Sequence, residues 1–307
     1  MSSTTGKPQR SKWFALVWAV PLALVLLAAV VLLAQWLRTL PGVQEFMTTY
    51  PGHTELPENT PVGFPAWLGW SHFFNALLIL LIIRSGWRVR TVTKPPAKWT
   101  RNNKGFLRTK GAPKTIGLDL WFHLSLDALW VLNGIIFYIL LFSTGQWARI
   151  IPTSWDIFPN AVSTAIQYAS LNWPLENGWV NYNALQVLAY FVTVFIAAPL
   201  AIITGLRMSA VWPREAKINK LYPVELARAI HFPVMLYFVL FIIAHVTLVF
   251  ATGVLRNLNH MYAMRDDETW WGFGIFAVSL VVMIGAWIAA NPVILRSVAG
   301  LTGKISR

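Results

Sequence analysis

The chain has 307 residues, of which 56% are hydrophobic and only 12% are Asp, Glu, Lys or Arg. Soluble domains carry about 25% charged residues, so this composition excludes an ordinary soluble fold. The absence of cysteine excludes disulfides, thiolate zinc sites, cysteine-ligated iron–sulfur clusters and covalently attached c-type haem.

Six apolar stretches are long enough to cross a hydrocarbon core, which takes roughly 20 helical residues. They lie at 13–37, 66–88, 118–145, 183–207, 226–253 and 270–292. The first follows Lys7, Arg10 and Lys12, as a signal peptide would. Its run is too long for a signal h-region and no small-residue cleavage site follows, so an uncleaved span is expected. The runs do not alternate, which disfavours strands. The loop at 89–117 is rich in Pro, Gly and cations and reads as a solvated segment near anionic headgroups, or as a docking surface for an acidic partner. The loop at 146–182 is aromatic and weakly charged, and a short interfacial helix is expected around 159–170. Trp67, Trp70, Trp147, Trp270 and Trp271 sit near span ends, where indole favours the interface.

Charge placement sets the topology. Of the 25 Lys and Arg residues, 21 fall in 1–12, 84–117, 207–228 and 293–307. The intervening loops, 38–65, 146–182 and 254–269, hold four cations against eight acids. Positive residues collect on the cytoplasmic side, so both termini are expected inside. This accounts for the net charge of +13 without nucleic acid. The fold class is all-α: an integral membrane bundle of six helices. The chain divides into an anchor span and loop (1–65), a central block of four spans (66–253), and a loop, sixth span and tail (254–307).

Four of the six histidines, His72, His123, His231 and His245, lie inside spans. Ionisable residues in a bilayer are costly and mark function by default. His53 and His260 fall in loops and read as surface residues. On span 5, His231 and His245 are 14 residues apart, roughly 21 Å along one helix face. One metal ion cannot use both, since its bonds to nitrogen are about 2 Å. Two stacked haems can, each held between facing helices. Depth pairs His72 with His245 and His123 with His231. A bis-histidine haem has no open coordination site and suits electron transfer. Gly86 and Gly134 return to the histidine faces, where a flat porphyrin could approach the backbone or where helices simply pack. Arg84 and Arg228 are the expected propionate partners at the inner ends. Asp127, one turn after His123, reads equally as a proton carrier or as a paired packing residue.

The stretches HFFNALLILLIIRSGW (72–87), WFHLSLDALWVLNGIIFYI (121–139), YNALQVLAYFVTVFIAAPLAIITGLRM (182–208) and RAIHFPVMLYFVLFIIAHVTLV (228–249) carry a resemblance. They resemble the di-haem cytochrome b subunits of formate dehydrogenase, nickel–iron hydrogenase and thiosulfate reductase, within the broad bacterial cytochrome b561 group. The resemblance implies a four-helix core in spans 2–5 that holds two haem b groups, quinone exchange at one of them, and a place in a bacterial inner membrane. It implies a quinone pocket beside His245, with Asn183 of the Tyr182–Asn183 pair contributing. Capping of span 4 is the alternative role for Asn183. Three departures stand out. Spans 1 and 6 flank the core, Leu185 replaces a family glycine, and the extra first span inverts the core, which moves quinone exchange to the outer haem. The expected function is electron transfer between the quinone pool and a partner oxidoreductase subunit of molybdenum or hydrogenase type, with that partner on the basic inner face or, as the alternative, docked externally. A self-contained quinol oxidase is one alternative. A transporter relaying protons through the buried histidines and Asp127 is the other, and it predicts no chromophore.

Overall fold

The computed structural model describes residues 12–103, 112–173, 177–209, 212–213, 215 and 217–306. Lys7, Arg10 and part of the basic loop (104–111) lie outside them. In a bilayer every backbone N–H and C=O needs a partner within the protein, and a helix supplies it segment by segment. The long apolar runs accordingly form helices. The chain runs through α1 (Lys12–Leu37), the short α2 (Pro41–Thr49) and α3 (Ala66–Thr91). Strands β1 (Lys98–Arg101) and β2 (Thr115–Gly117) then lead into α4 (Leu118–Ser143). The amphipathic α5 (Ile157–Ala169) follows, then α6 (Ala184–Phe191), a π-helical segment (Val192–Ala197) and α7 (Ala198–Met208). The chain closes with α8 (Val224–Ala251), α9 (Val254–Leu258), α10 (Trp271–Ala289), α11 (Pro292–Gly300) and β3 (Gly303–Ser306). Among the described residues six helical spans are long and apolar enough to cross a membrane, the fourth being α6, the π segment and α7 together.

The outward surface is apolar: Leu129, Leu132, Ile136, Leu240 and Ile243 are all exposed. Buried polar groups hold the inside together. Trp130 Nε1 of α4 donates to Asn75 Oδ1 of α3 at 2.9 Å. The Ser71 hydroxyl donates to Asn133 Oδ1 at 3.3 Å. The π segment sits just before Pro199, which has no N–H to continue the ladder. It frees the Val194 carbonyl, and the Tyr138 hydroxyl of α4 donates to it at 2.6 Å.

The two ends of the bundle differ. At one end, α5 and the loops 38–65, 146–182 and 254–269 build a cap. Arg149, 2% exposed, is its staple. Its guanidinium donates to the carbonyls of Pro61, Gly63 and Trp179 at 3.3, 3.2 and 3.0 Å, and also to that of Gly178. His260 belongs to this cap and is not a surface residue: it is 3% exposed, against the sequence reading. It stacks on Phe64 at 5.6 Å, and its Nε2 lies 2.9 Å from Asp266 Oδ1. Burial lowers the His260 pKa, against the pull of Asp266. Arg256, and then His260, hold the Asp266 carboxyl well below the usual range. The helix expected at 159–170 is α5, which buries Ile157 and Ala161 against Ala184 and Val187.

At the other end the basic loop is more than a solvated segment. β1 lies between β2 and β3 in an antiparallel sheet, with Trp99 opposite Ile116 and Ile305. The sheet covers a small core of Ala97, Leu118, Leu295 and Ala299, and Trp99 Nε1 donates to the Ala299 carbonyl at 3.1 Å. The strands have three or four residues, too short for a readable alternation, and β3 is about 200 residues from β1.

Helix α1 stands apart. Ala34 is buried, Gln35 Nε2 donates to the Ser170 carbonyl at 3.3 Å, and Arg38 Nη1 donates to the Ser170 hydroxyl at 3.0 Å. From Val17 to Leu33 its described apolar side chains are almost all exposed.

Candidate functional site

Helices α3, α4 and α8 bring the four span histidines into two pairs. Near the capped end, the rings of His72 and His245 lie 6.2 Å apart at an interplanar angle of 54°. Near the sheet end, His123 and His231 lie 6.4 Å apart at 82°. These are the pairs that depth along the spans joins. Helix α8 contributes one ring to each.

The sheet-end pair is held by matched groups. Ser85 Oγ of α3 lies 2.9 Å from His123 Nδ1 and donates to the Ile82 carbonyl at 3.0 Å. Thr204 Oγ1 of α7 lies 2.8 Å from His231 Nδ1 and donates to the Leu200 carbonyl at 2.6 Å. A hydroxyl has one proton. With that proton on the carbonyl, the oxygen is left to accept from Nδ1–H. With Nδ1 protonated, each imidazole donates to its hydroxyl and is left with a lone pair on Nε2. The next residue on each supporting helix is glycine. A Cβ on Gly86 would stand 3.1 Å from His123 Cε1, and one on Gly205 would stand 3.6 Å from His231 Cε1. Asp127 Oδ2 is 3.7 Å from His123 Nε2, too far for a hydrogen bond.

The other pair is held differently. His72 Nδ1 is buried and has no hydrogen-bond partner among the described residues. His72 meets Tyr262 edge-on at 6.0 Å. His245 stacks on Phe241 at 5.6 Å, one turn before it, and meets Tyr190 edge-on at 6.3 Å. Beside Phe241 an apolar cleft of about 300 Å³ opens between α6 and α8, lined among others by Leu185, Leu188, Tyr237, Leu240 and Ala244.

The remaining expected residues are placed as follows. Asn183 is 1% exposed and caps α6: its Oδ1 accepts from Gln186 N at 2.8 Å, in a reciprocal capping box. Its Nδ2 donates to the Tyr168 hydroxyl at 2.7 Å. Arg84 turns to α10, where its guanidinium donates to the Trp287 carbonyl and lies 4.6 Å from that ring. Arg228 is exposed at the start of α8. Arg88 pairs with Asp119 at 2.7 Å. Gly134 faces open space. Sequence reading passed over Ser85, Thr204 and Gly205. Their signal was a hydroxyl residue followed by glycine inside an apolar run, IIRSG and IITG. Among the described residues no three acidic or histidine side chains gather as a metal site. Compared with known families, the chain matches the model of prokaryotic cytochrome b561 over residues 63–266, a stretch that holds all four paired histidines. No curated protein and no solved structure matches it.

Proposed function

Because the chain belongs to the prokaryotic cytochrome b561 family, whose role is electron transfer by membrane b-type cytochromes, we propose that it is a di-haem cytochrome. In this reading His72 with His245 would hold one haem b, and His123 with His231 would hold the other. The observation that carries the reading is the facing of two histidine pairs at one spacing.

The residues fit the group. Metal–nitrogen bonds are about 2 Å, and a ring nitrogen lies about 1 Å from its centroid. Two imidazoles that share one ion could therefore have centroids up to about 6 Å apart, close to the 6.2 and 6.4 Å found here. Two histidines alone make a weak metal site, and a porphyrin brings the other four nitrogens. Haem b, when bound, supplies one-electron iron chemistry.

The chain's own residues bind and orient. Ser85 and Thr204 would accept from Nδ1–H in the tautomer that presents Nε2. Gly86 and Gly205 leave flat space beside the rings. Arg228, three residues before His231, is the residue proposed for a propionate. Arg84 can serve the same role only by leaving Trp287. The apolar cleft beside Phe241 is the proposed approach for a quinone to the His72–His245 pair. Asn183 acts there through the backbone, by fixing the start of α6, one wall of that cleft. The sheet end, which gathers most of the cations, is the cytoplasmic side by the positive-inside rule. It is also the proposed docking face for a redox-enzyme subunit of molybdenum or hydrogenase type.

The test is a reduced-minus-oxidised visible spectrum of the detergent-purified chain with a pyridine haemochrome count. Two haems are expected, and replacing any one of the four histidines with Ala should remove one. A single haem in the unaltered chain would break the two-pair reading. No haem in a well-folded, haem-supplied preparation would overturn the function and favour a proton-relaying transporter.

A further inference from the structure

We propose that Ser85 and Thr204 are positioning residues that lower the reduction potential of the sheet-end haem and leave the other unaffected. The inference rests on the two-haem reading above.

The argument starts from the recurrence. Two helices that are far apart in sequence present the same dipeptide, hydroxyl then glycine, to the two rings of one pair. Ser85 and Gly86 of α3 meet His123 at Nδ1 and Cε1. Thr204 and Gly205 of α7 meet His231 at the same two atoms. Packing alone would not require a hydroxyl oxygen at both Nδ1 atoms. Each hydroxyl is also tied to its own helix, at 3.0 Å for Ser85 and 2.6 Å for Thr204. That tie keeps its lone pair aimed at the ring.

The chemical effect follows from what a ring does when its distal N–H is bonded. An acceptor at Nδ1 draws on that proton and pushes electron density to Nε2, raising its basicity as a ligand. A more basic axial ligand stabilises ferric over ferrous iron, so the potential falls. Two such ligands act on the same iron. In the other pair, His72 Nδ1 is buried with no partner among the described residues, and His245 is held by stacking on Phe241. The two centres therefore differ in ligand basicity though both are bis-histidine.

The experiment is a potentiometric titration of the full-length, haem-loaded chain, with S85A, T204A, the double variant, and the conservative S85T and T204S. In S85A/T204A one of the two midpoint potentials should rise, by about tenfold in the ferric–ferrous ratio, or about 59 mV for one electron. The second potential should stay, and each single Ala variant should show part of the rise. The conservative variants should keep the unaltered value. In a His72→Ala chain, which retains only the sheet-end haem, the same rise should recur. Unmoved potentials overturn the proposal, and so does an equal shift of both, which would mark a general loosening. Should the Ala variants fail to retain the sheet-end haem, S85T and T204S decide: unaltered values uphold the hydroxyl role, and loss or a shift overturns it. A chain that binds no haem before any substitution fails the functional reading instead, and the two failures are thereby told apart.

Discussion

One methyl group is a fine probe of the space beside a ring. At Gly86 an added Cβ would sit 3.1 Å from His123 Cε1, tight enough that the ring must yield by a few tenths of an ångström. At Gly205 the corresponding distance is 3.6 Å, an ordinary contact. On the two-haem reading, Gly86→Ala should therefore disturb the sheet-end haem more than Gly205→Ala. Low-spin ferric resonance spectra of the two variants check this, and equal effects would contradict the crowding. The histidines themselves were legible in the sequence because an ionisable group in a bilayer needs a reason. Ser85 and Thr204 were not. A hydroxyl in a helix commonly bonds its own i−3 or i−4 carbonyl, and both do so here. Only the folded chain shows a ring nitrogen on the other side. Arg84 was legible as a cation near the right depth, but its direction was not, because α10 joins the bundle from nearly 200 residues away.

Among the elements, α6 depends on a single side chain. Asn183 satisfies the first turn with a capping box and spends its amide on Tyr168. Asn183→Ala should lower stability by about 1 kcal/mol or somewhat more, seen as a lower thermal midpoint in detergent. The cap built from 254–269 has a pH dependence with a definite sign. The His260 pKa is lowered by burial, so the fold holds it neutral. Its contribution is complete above the ordinary imidazole value of about 6.5 and is lost as pH falls below it. The Asp266 pKa is also lowered, by Arg256 first and then His260. Its contribution is complete above the ordinary carboxylate value of about 4 and is lost in stronger acid. Melting midpoints should thus decline on acidification from about pH 6.5, and His260→Phe should flatten the first part of that decline. The spans were readable to within a few residues, since length and apolarity alone define them. The sheet was not, because its three short strands are made by pairing across most of the chain.

For the whole molecule, α8 sets the scale. Its two rings, 14 residues apart, stand roughly 21 Å from one another along the helix. The hydrocarbon core is about 30 Å thick. On the proposed reading, an electron that passes from one pair to the other crosses about two thirds of the insulating layer. A full crossing is worth about 2.3 kcal/mol per 100 mV, so this passage is worth about 1.6 kcal/mol per 100 mV. In sealed vesicles, an imposed voltage of that size should change the distribution of electrons between the two centres by about fifteenfold. Step-by-step spectra under a potassium diffusion potential would measure it. On that reading, the spacing of two histidines on one helix would make the bundle a voltage-sensitive element, which would store or spend charge separation each time an electron moved along it.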